Sequence, residues 1–380
     1  MTEPTLHGAD PATVRDALAD ADPLPGTTGF AGELDDRLVR DVLGRVPLYV
    51  DTDPDASSAT PAWAFEPSAL EDPTLFPAGV AAPIDEPLPL PEPESHWALP
   101  EPAPETDHEA ATDALERAIR QATAAVKRED QDIAVAFSGG VDSALVAELL
   151  DAPLYVVGFP DSHDVEAART AADAMGRELT VVDLEPADLE RAVPEVARAI
   201  GRTNAMDVQI ALPLYLVGER VAADGFDALA VGQGADELFG GYEKVVRLDH
   251  RVAAETTRGA VREGIRSLPE QLPRDVLTIE ATGLEPVAPL LHDAVVAAAL
   301  RLPDELLADE DERKRGFRRV AARYLPAEVA NRDKKAVQYG SLVARELDRL
   351  ARQAGYKRRM DDHVTKYVAS LLEDAETTAE

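Results

Sequence analysis

Residues 133–143 read Ile-Ala-Val-Ala-Phe-Ser-Gly-Gly-Val-Asp-Ser, an apolar run that ends at a pair of glycines. A short apolar run bounded by glycine is typical of a buried strand, and residues 141–150 have the pattern of a helix. Gly139 and Gly140 let the backbone turn tightly and approach a bound group without a Cβ clash. The stretch therefore predicts a strand, a tight loop and a helix in direct succession.

The loop from Ser138 to Ser143 has the composition of an anion-binding turn. A helix N-terminus presents unpaired N–H groups and the positive end of the helix dipole, and the two serines add hydroxyl donors. Asp142 would repel a phosphate unless Mg²⁺ bridges the two charges. Neither a Walker loop nor a GxGxxG pattern is present. The residues favour a pyrophosphate site with a metal over the alternative, a plain Gly-Gly turn before a helix capped by Ser138.

Strands and helices continue to alternate along the chain. Apolar runs predict further strands at residues 154–159, 179–184 and 228–231, and helical spacing predicts helices at 110–127, 164–175 and 207–223. This alternation is typical of a doubly wound parallel sheet with helices on both faces. Residues 245–375 are rich in Ala, Leu, Arg and Glu, which predicts a mostly helical C-terminal part.

A second glycine-rich stretch follows the strand predicted at 228–231. Residues 231–242 read Val-Gly-Gln-Gly-Ala-Asp-Glu-Leu-Phe-Gly-Gly-Tyr. Ligands of doubly wound sheets bind at the carboxyl ends of the strands. We therefore expect this loop to face the same crevice as the first, with Asp236 as a second carboxylate for Mg²⁺. The alternative is a glycine-rich helix entry with a solvated pair of acids.

Together the two loops resemble the synthetase domain of the glutamine-dependent asparagine synthetase family, a branch of the ATP pyrophosphatases. Residues 157–164 are similar to the family segment around the adenosine, residues 283–291 to its Gly-Leu-Glu…Pro-Phe-Leu stretch, and residues 332–335 to its Arg-x-Lys-Lys segment. The resemblance covers roughly residues 109–345. It implies an α/β fold with a doubly wound parallel sheet of the adenine nucleotide α-hydrolase type.

The resemblance also implies roles for single residues, with ATP and Mg²⁺ as the bound groups. Lys334 and Gln233 would be catalytic, with Lys334 stabilising charge on the α-phosphate. Asp142 and Asp236 would bind Mg²⁺. The ATP-binding residues would be Ala136, Ser138, Gly139, Gly140, Asp142, Ser143, Val157, Gly158, Val231 and Gly232.

Two positions depart from the family pattern. Gln233 stands where many members have Glu, and a neutral amide cannot act as a general base. His292 stands where the family has an Asp after Pro-Phe-Leu. These departures leave open which carboxylate is activated, although His292 is equally well interpreted as a surface or capping residue.

The front of the chain resembles a shortened glutaminase domain. Residues 28–32, Thr-Gly-Phe-Ala-Gly, are similar to the family's opening Cys-Gly-Ile-Ala-Gly, and residues 40–49 and 76–79 match two further segments. Thr28 stands at the position of the nucleophilic Cys and is not N-terminal. We predict a β-rich, catalytically inactive remnant at residues 1–82, a Pro/Glu-rich linker at 83–108 and the synthetase domain at 109–380.

Composition limits the remaining classes of function. Asp and Glu number 72 against 38 Lys and Arg, a net charge of −34. Such acidity argues against a nucleic-acid partner and suggests a protein of a salt-rich cytoplasm, where screening shortens self-repulsion. No apolar run approaches the roughly 20 residues that span a bilayer, so no membrane association is expected. The chain contains no Cys, which excludes disulfides and a cysteine nucleophile.

The leading hypothesis is an AMP-forming ligase that makes asparagine from aspartate and ammonia. Without a glutaminase of its own, the protein would take ammonia from solution or from a separate amidotransferase subunit. An amide ligase for another carboxylic acid is the second hypothesis. A tRNA-modifying enzyme and a nucleotide-binding homologue without activity are the remaining two.

Overall fold

The computed structural model describes residues 6–51, 63–84, 95–128, 131–242, 254, 256–309, 312–332 and 342–379. Its contacts divide the chain into two compact units. The first unit is made of three segments, Met1–Lys127, Gly232–Val276 and Ala288–Tyr324. The second is made of Arg128–Val231, Leu277–Val287 and Leu325–Glu380.

A five-stranded parallel sheet forms the centre of the second unit, with the strand order β10-β9-β8-β11-β12. Every neighbouring pair is parallel. β8 is the middle strand and leads directly into the Ser138–Ser143 loop. The strands are β8 (Ile133–Ala136), β9 (Leu154–Gly158), β10 (Leu179–Asp183), β11 (Ala228–Ala230) and β12 (Glu285–Val287).

Helices of the second unit pack on this sheet and on one another. Local signals set their ends: Ser162 and Asn204 accept hydrogen bonds from backbone N–H groups at two helix starts, and Gly176 and Gly201 end two helices in the left-handed conformation. The helices are α3 (Val141–Leu150), α4 (His163–Met175), α5 (Pro186–Ile200), α6 (Ala205–Ala223), α13 (Ala327–Ala330), α14 (Val343–Gln353) and α15 (His363–Ala379).

The first unit begins with two small antiparallel sheets that enclose apolar cores. One has the order β1-β2-β3-β7 and the other β5-β4-β6. Phe30 and Trp97 pack edge to face in one of these cores. The strands are β1 (Leu6–His7), β2 (Ala31–Leu34), β3 (Arg37–Arg40), β4 (Tyr49–Asp51), β5 (Trp63–Ala64), β6 (Pro73–Leu75) and β7 (Ala81–Pro83).

Helices complete the first unit, and α2 packs against α10. The helix α9 begins in this unit and continues into the second. The helices are α1 (Pro11–Asp20), α2 (His108–Ala125), α7 (Ala235–Phe239), α8 (Thr257–Arg266), α9 (Leu268–Glu280), α10 (Asp293–Ala299), α11 (Asp304–Leu307) and α12 (Arg315–Ala321). Short 3₁₀ turns lie at Pro67–Ala69 and Pro289–Leu291.

The α/β class, the parallel sheet and the helical C-terminal part are confirmed, as are the small β-rich elements at the front. The helix α1 was not predicted in the β-rich region of the first unit, and two elements of the second unit were not predicted. β12 is a three-residue edge strand with a central proline, and α5 contains Pro194 in its interior; proline disfavours both assignments from sequence. The predicted boundaries at residues 82 and 108 remain predictions, and residues 85–94 of the predicted linker lie outside the described part of the chain.

Candidate active site

The Ser138–Ser143 loop takes its shape from the backbone. Gly139 has a left-handed φ of +71°, and a Cβ there would lie 2.6 Å from the backbone carbonyl of Ala167. Since Ala167 belongs to α4 and cannot move away as a flexible side chain could, only glycine fits. Gly140 then caps α3 without a side-chain hydrogen bond to the helix. The first amides of α3 are thus left without a side-chain cap, as in anion-binding helix starts.

The two serines of this loop face each other across the turn. The Ser143 hydroxyl accepts a hydrogen bond from the Ser138 backbone N–H at 3.2 Å, and the two hydroxyls are 3.3 Å apart. Asp142 lies in the first turn of α3. Hydroxyls, amides and one carboxylate therefore meet at one helix start, which is the donor set that a metal-bound phosphate requires.

The residues predicted to contact adenosine lie at or beside the ends of neighbouring strands. Ala136 ends β8, and Val157 and Gly158 end β9. Val231 follows β11 and donates its backbone N–H to the Val287 carbonyl at 2.9 Å. Gly158 is close to Ser162, whose Oγ would lie 2.6 Å from a Cβ at that glycine. All of these residues belong to the second unit, whereas Gly232, which was also predicted to contact adenosine, begins a segment of the first.

The Gly232–Gly241 loop contains the short helix α7 between two glycines in the left-handed conformation. Gly234 precedes the helix with a φ of +87°, and Gly240 ends it with a φ of +77°. The Leu291 Cγ would lie 2.8 Å from a Cβ at Gly234. Leu291 therefore packs directly on the loop backbone, and a side chain at Gly234 would displace it.

Asp236 forms an ion pair that was not predicted from the sequence. Its Oδ1 lies 2.6 Å from the Lys314 Nζ. The lysine side chain is 7% exposed and the aspartate side chain 46%. Lys314 precedes α12 with a left-handed φ of +56°, a strained conformation for lysine that is often found at functional sites. The two residues are far apart in sequence, so no local pattern could have predicted this pair.

The pair passes directly over Gly241. A Cβ at Gly241 would lie 2.5 Å from the Lys314 Cε and would also collide with the Asp236 carboxylate. A side chain at position 241 would therefore have to displace the Lys314–Asp236 pair.

Glu237 is the second acid of this loop and is buried. The Tyr242 hydroxyl donates a hydrogen bond to its Oε1. Burial raises the pKa of the Glu237 carboxyl above its ordinary value, and the nearby Asp236 acts in the same direction. Glu237 thus faces the core of the first unit, whereas the half-exposed Asp236 is accessible to a ligand.

Gln233 is held by a carboxylate. Its side-chain amide donates to the Asp275 Oδ2 in α9, and the Asp275 Oδ1 in turn accepts from the Arg274 Nε at 2.7 Å. An amide can donate to this carboxylate, but an ionised glutamate at position 233 could not. The contact gives a physical reason for glutamine at this position.

His292 is a buried helix cap. Its Nδ1 accepts a hydrogen bond from the Ala294 backbone N–H at 3.0 Å, at the start of α10. Burial lowers the pKa of His292 below its ordinary value. The neighbouring Asp293, which drew no attention in the sequence, is also buried and binds the Thr27 backbone N–H at 2.7 Å.

Lys334 lies outside the described residues, as does the adjacent Lys335. Arg332, two positions earlier, donates its Nη1 to the Ala167 carbonyl at 2.9 Å. That carbonyl is the group that excludes a side chain at Gly139. The segment that leads to Lys334 is therefore attached next to the Ser138–Ser143 loop within the second unit.

Mg²⁺ prefers oxygen ligands in octahedral geometry. Among the described residues, no group of three or more His, Asp or Glu side chains is arranged to hold a metal ion. Protein Mg²⁺ sites for nucleotides commonly use one or two carboxylates and leave the remaining positions to phosphates and water. Asp142 of the second unit and the half-exposed Asp236 of the first are each a carboxylate of the kind that Mg²⁺ binds.

Comparison with known proteins gives a family match over most of the chain. The model of the family described as "Asparagine synthase" matches residues 114–277 and 257–377. A Methanocaldococcus jannaschii protein that carries the provisional name of a glutamine-hydrolyzing asparagine synthetase is 29% identical over 292 residues, covering 67% of this chain and 54% of that protein. Asparagine synthetase B of Escherichia coli is 24% identical over 247 residues, covering 60% and 44%.

The chain thus spans about half the length of the curated relatives it matches. Among solved structures, a U34-tRNA thiolase from Methanococcus maripaludis covers 70% of this chain and 80% of its own, with 13% identity and a TM-score of 0.28. Within the described residues, no helix is both long and apolar enough to cross a membrane.

Proposed function

This chain belongs to the asparagine synthase family, and from that membership we propose that it is an ATP-dependent ligase that activates the β-carboxylate of aspartate and transfers ammonia to it. The observation that carries the proposal is the Ser138–Ser143 loop. Its uncapped helix start and paired hydroxyls suit a polyphosphate bound at the backbone amides, and Gly139 lets the loop pack against α4 in this shape.

The proposed reaction has two steps. A carboxylate oxygen of aspartate attacks the α-phosphorus of ATP, the bond to the β-phosphate oxygen breaks, and pyrophosphate leaves. Ammonia then attacks the acyl carbon of the adenylate, AMP leaves with the bonding electron pair, and the added nitrogen loses a proton. The chain contributes orientation and fixed charge, with Ser138, Gly139, Gly140 and Ser143 holding the leaving pyrophosphate.

Lys334 is the proposed cation at the α-phosphate. Support comes from the preceding Arg332, which is attached to the same carbonyl that shapes the phosphate loop. Asp142 and Asp236 are the proposed Mg²⁺ ligands; when bound, the ion would neutralise phosphate charge. Ala136, Val157, Gly158, Val231 and Gly232 are the proposed adenosine contacts because they lie at strand ends, where ligands of such sheets bind.

Lys314 is a further proposed active-site residue, which was not predicted from the sequence. Its ammonium group is buried beside the Asp236 carboxylate. We propose that it positions Asp236 and offsets part of the negative charge that Asp236, Glu237 and the substrate phosphates bring together. A buried, paired lysine is fixed before the substrate arrives, which makes its electrostatic effect larger than that of a solvated one.

Ammonia, rather than glutamine, is the proposed nitrogen donor of this chain. The chain contains no Cys, and Thr28 occupies the position at which the resemblance places the nucleophile. The Thr28 side chain is exposed. Ammonia would come from solution or from a separate amidotransferase subunit.

Release of pyrophosphate tests the proposal directly. Wild-type protein with Mg²⁺, ATP, aspartate and ammonium should yield asparagine, AMP and pyrophosphate, and glutamine should not replace ammonium. Asp142→Asn should abolish the activity, whereas Asp173→Asn on the exposed face of α4 should retain it. Formation of ADP, or pyrophosphate release that does not depend on aspartate, would contradict the proposal.

A second candidate is an amide ligase of the same chemistry that acts on another carboxylic acid. The hydrogen bond from Gln233 to Asp275 favours it. Many family members have Glu at this position, whereas here the position is a glutamine whose amide is already bound to a carboxylate. Pyrophosphate release measured across a panel of carboxylates distinguishes the two. Tight ATP binding without turnover on any member of the panel would instead indicate a nucleotide-binding homologue.

The charge of −34 further supports function in a salt-rich cytoplasm. Because salt screens the repulsion between exposed carboxylates, both activity and the unfolding temperature should rise with KCl concentration. Full activity and stability in dilute buffer would refute this part of the proposal.

A further inference from the structure

The N-terminal segment Arg40–Arg45 contributes two arginines whose guanidinium groups reach beyond the small sheets. Arg40 is fully buried and donates to the carbonyls of Phe76 at 2.7 Å and Gly44 at 2.8 Å, and also to that of Pro269 at 3.2 Å. Burial lowers the pKa of Arg40 to about 10, so the group stays charged at neutral pH. Pro269 lies at the start of α9, six residues before Asp275.

Like Arg40, Arg45 connects the N-terminal segment to a distant part of the first unit. Its Nη1 donates to the Leu291 carbonyl at 2.8 Å and lies 2.7 Å from the Asp293 Oδ1, while its Nε binds Asp41 at 2.9 Å. Burial alone would lower the pKa of Arg45, but Asp41 and Asp293 more than offset this and raise it. Arg45 is therefore a permanently charged group fixed between two buried carboxylates.

Both connections lead to the Gly232–Gly241 loop. Asp275, on the helix that Arg40 binds, accepts from the Gln233 amide. Leu291, whose carbonyl Arg45 binds, packs its side chain on Gly234. Arg40 thus acts on Gln233 through α9, and Arg45 acts on the adjacent Gly234 through Leu291. All of these residues belong to the first unit.

We propose that Arg40 and Arg45 are positioning residues for the Gly232–Gly241 loop, so that the N-terminal region, which contains no Cys, serves the reaction as a clamp. The clamp keeps Gln233, Gly234 and the following Asp236 in one arrangement before substrates bind. The inference rests on the proposed function only in assigning that loop to the active site.

The clamp can be tested without any substrate. Hydrogen–deuterium exchange of the full chain reports local opening of the amides in residues 232–241. The amides of Leu238, Gly240 and Gly241 donate to backbone carbonyls within the loop. Arg45→Ala should speed exchange in this segment by about tenfold or more, while the strands β8 and β9 keep their wild-type rates. Arg15→Ala, which breaks an exposed ion pair with Asp35 in the same N-terminal region, should change neither.

Two further variants separate positioning from a loss of folding. Leu291→Ala keeps the backbone carbonyl that Arg45 binds and shortens the buried side chain that packs on Gly234, so it should also speed exchange in the loop. Arg45→Lys keeps the charge and one donor and should fall between wild type and Arg45→Ala. Wild-type exchange of the loop in folded Arg45→Ala, or in Leu291→Ala if Arg45→Ala does not fold, would overturn the clamp.

Kinetics supply the second readout. A positioning role predicts that Arg45→Lys lowers kcat for pyrophosphate release while the Kd for ATP, measured by titration, stays within about twofold of wild type. A merely structural role would lower the unfolding temperature and leave kcat unchanged below it. If wild-type protein releases no pyrophosphate, the proposed function fails, but the exchange experiment still decides whether the loop is clamped.

Discussion

The two glycine-rich loops are held in different ways. The Ser138–Ser143 loop is shaped by backbone against backbone: Gly139 rests on the Ala167 carbonyl, and the serines bond within the turn. The Gly232–Gly241 loop is shaped by side chains from distant parts of the sequence, namely Lys314 on Asp236 and Asp275 on Gln233. The first loop should therefore respond to changes in volume, and the second to changes in charge.

The largest effect is expected from Gly139→Ala. The added Cβ meets the backbone of Ala167 at 2.6 Å and requires a left-handed φ that disfavours alanine. Since the backbone of α4 cannot yield, we expect ATP affinity to fall by a hundredfold or more, on the order of 3 kcal/mol. Isothermal titration with ATP measures this.

Gly176→Ala is the matched control for that variant. Its φ of +67° is nearly the same, but a Cβ there has open space around it. It should cost about 1 kcal/mol of stability and leave ATP binding intact. Equal losses of affinity in both variants would show that strain, and not the contact with Ala167, matters.

Removal of the charge at Lys314 is expected to have the next largest effect. Lys314→Met keeps the length of the buried side chain but leaves the Asp236 carboxylate without its cation. We expect kcat for pyrophosphate release to fall by about ten- to a hundredfold, as is usual for loss of one fixed electrostatic group. Lys366→Met, on an exposed lysine of α15, serves as the control. Unchanged turnover in Lys314→Met would mean that the second loop does not depend on this pair.

Gln233→Glu tests the charge on the other side of the same loop. Two carboxylates would then share the place of one amide–carboxylate hydrogen bond, which raises the pKa of one of them and loosens the loop. We expect roughly tenfold slower turnover, within the range of a lost charged hydrogen bond. Gln233→Glu combined with Asp275→Asn restores an amide opposite a carboxylate and should recover much of the rate. A double variant no better than Gln233→Glu alone would argue against the contact.

The smallest effect concerns pH and His292. Because burial lowers the pKa of His292 below its ordinary value of 6.5, the unfolded chain binds this proton more readily than the native state does. The free energy of unfolding should therefore decrease as the pH falls from 7 through 6.5 and below. His292→Asn keeps a capping acceptor for α10 and removes the titration, so its unfolding free energy, measured with urea, should depend less on pH. Parallel curves for the two proteins would contradict this.

The contrast between the loops also explains what could be predicted from the sequence. The first loop is local, since a strand, two glycines and a helix start follow one another within residues 133–150, and the sheet and its flanking helices were predicted for the same reason. The contacts of Lys314 with Asp236 and of Asp275 with Gln233 were not predicted, because the two residues of each pair lie more than 40 positions apart and no sequence pattern links them. β12 was not predicted because proline at position 286 disfavours a strand. Asp293 was not predicted to be buried because its partner Thr27 lies far away in the sequence.

Neither unit is a continuous piece of chain, and this has a consequence for synthesis on the ribosome. The first unit needs residues up to Tyr324, and the sheet of the second lacks its edge strand until Val287 has been made. At about 5–20 residues per second, the N-terminal sheets leave the ribosome tens of seconds before the segments that Arg40 and Arg45 bind. During that interval water takes the place of the Pro269 and Leu291 carbonyls and of the Asp293 carboxylate at the two guanidinium groups, so Arg40 and Arg45 become buried only after those segments have been made.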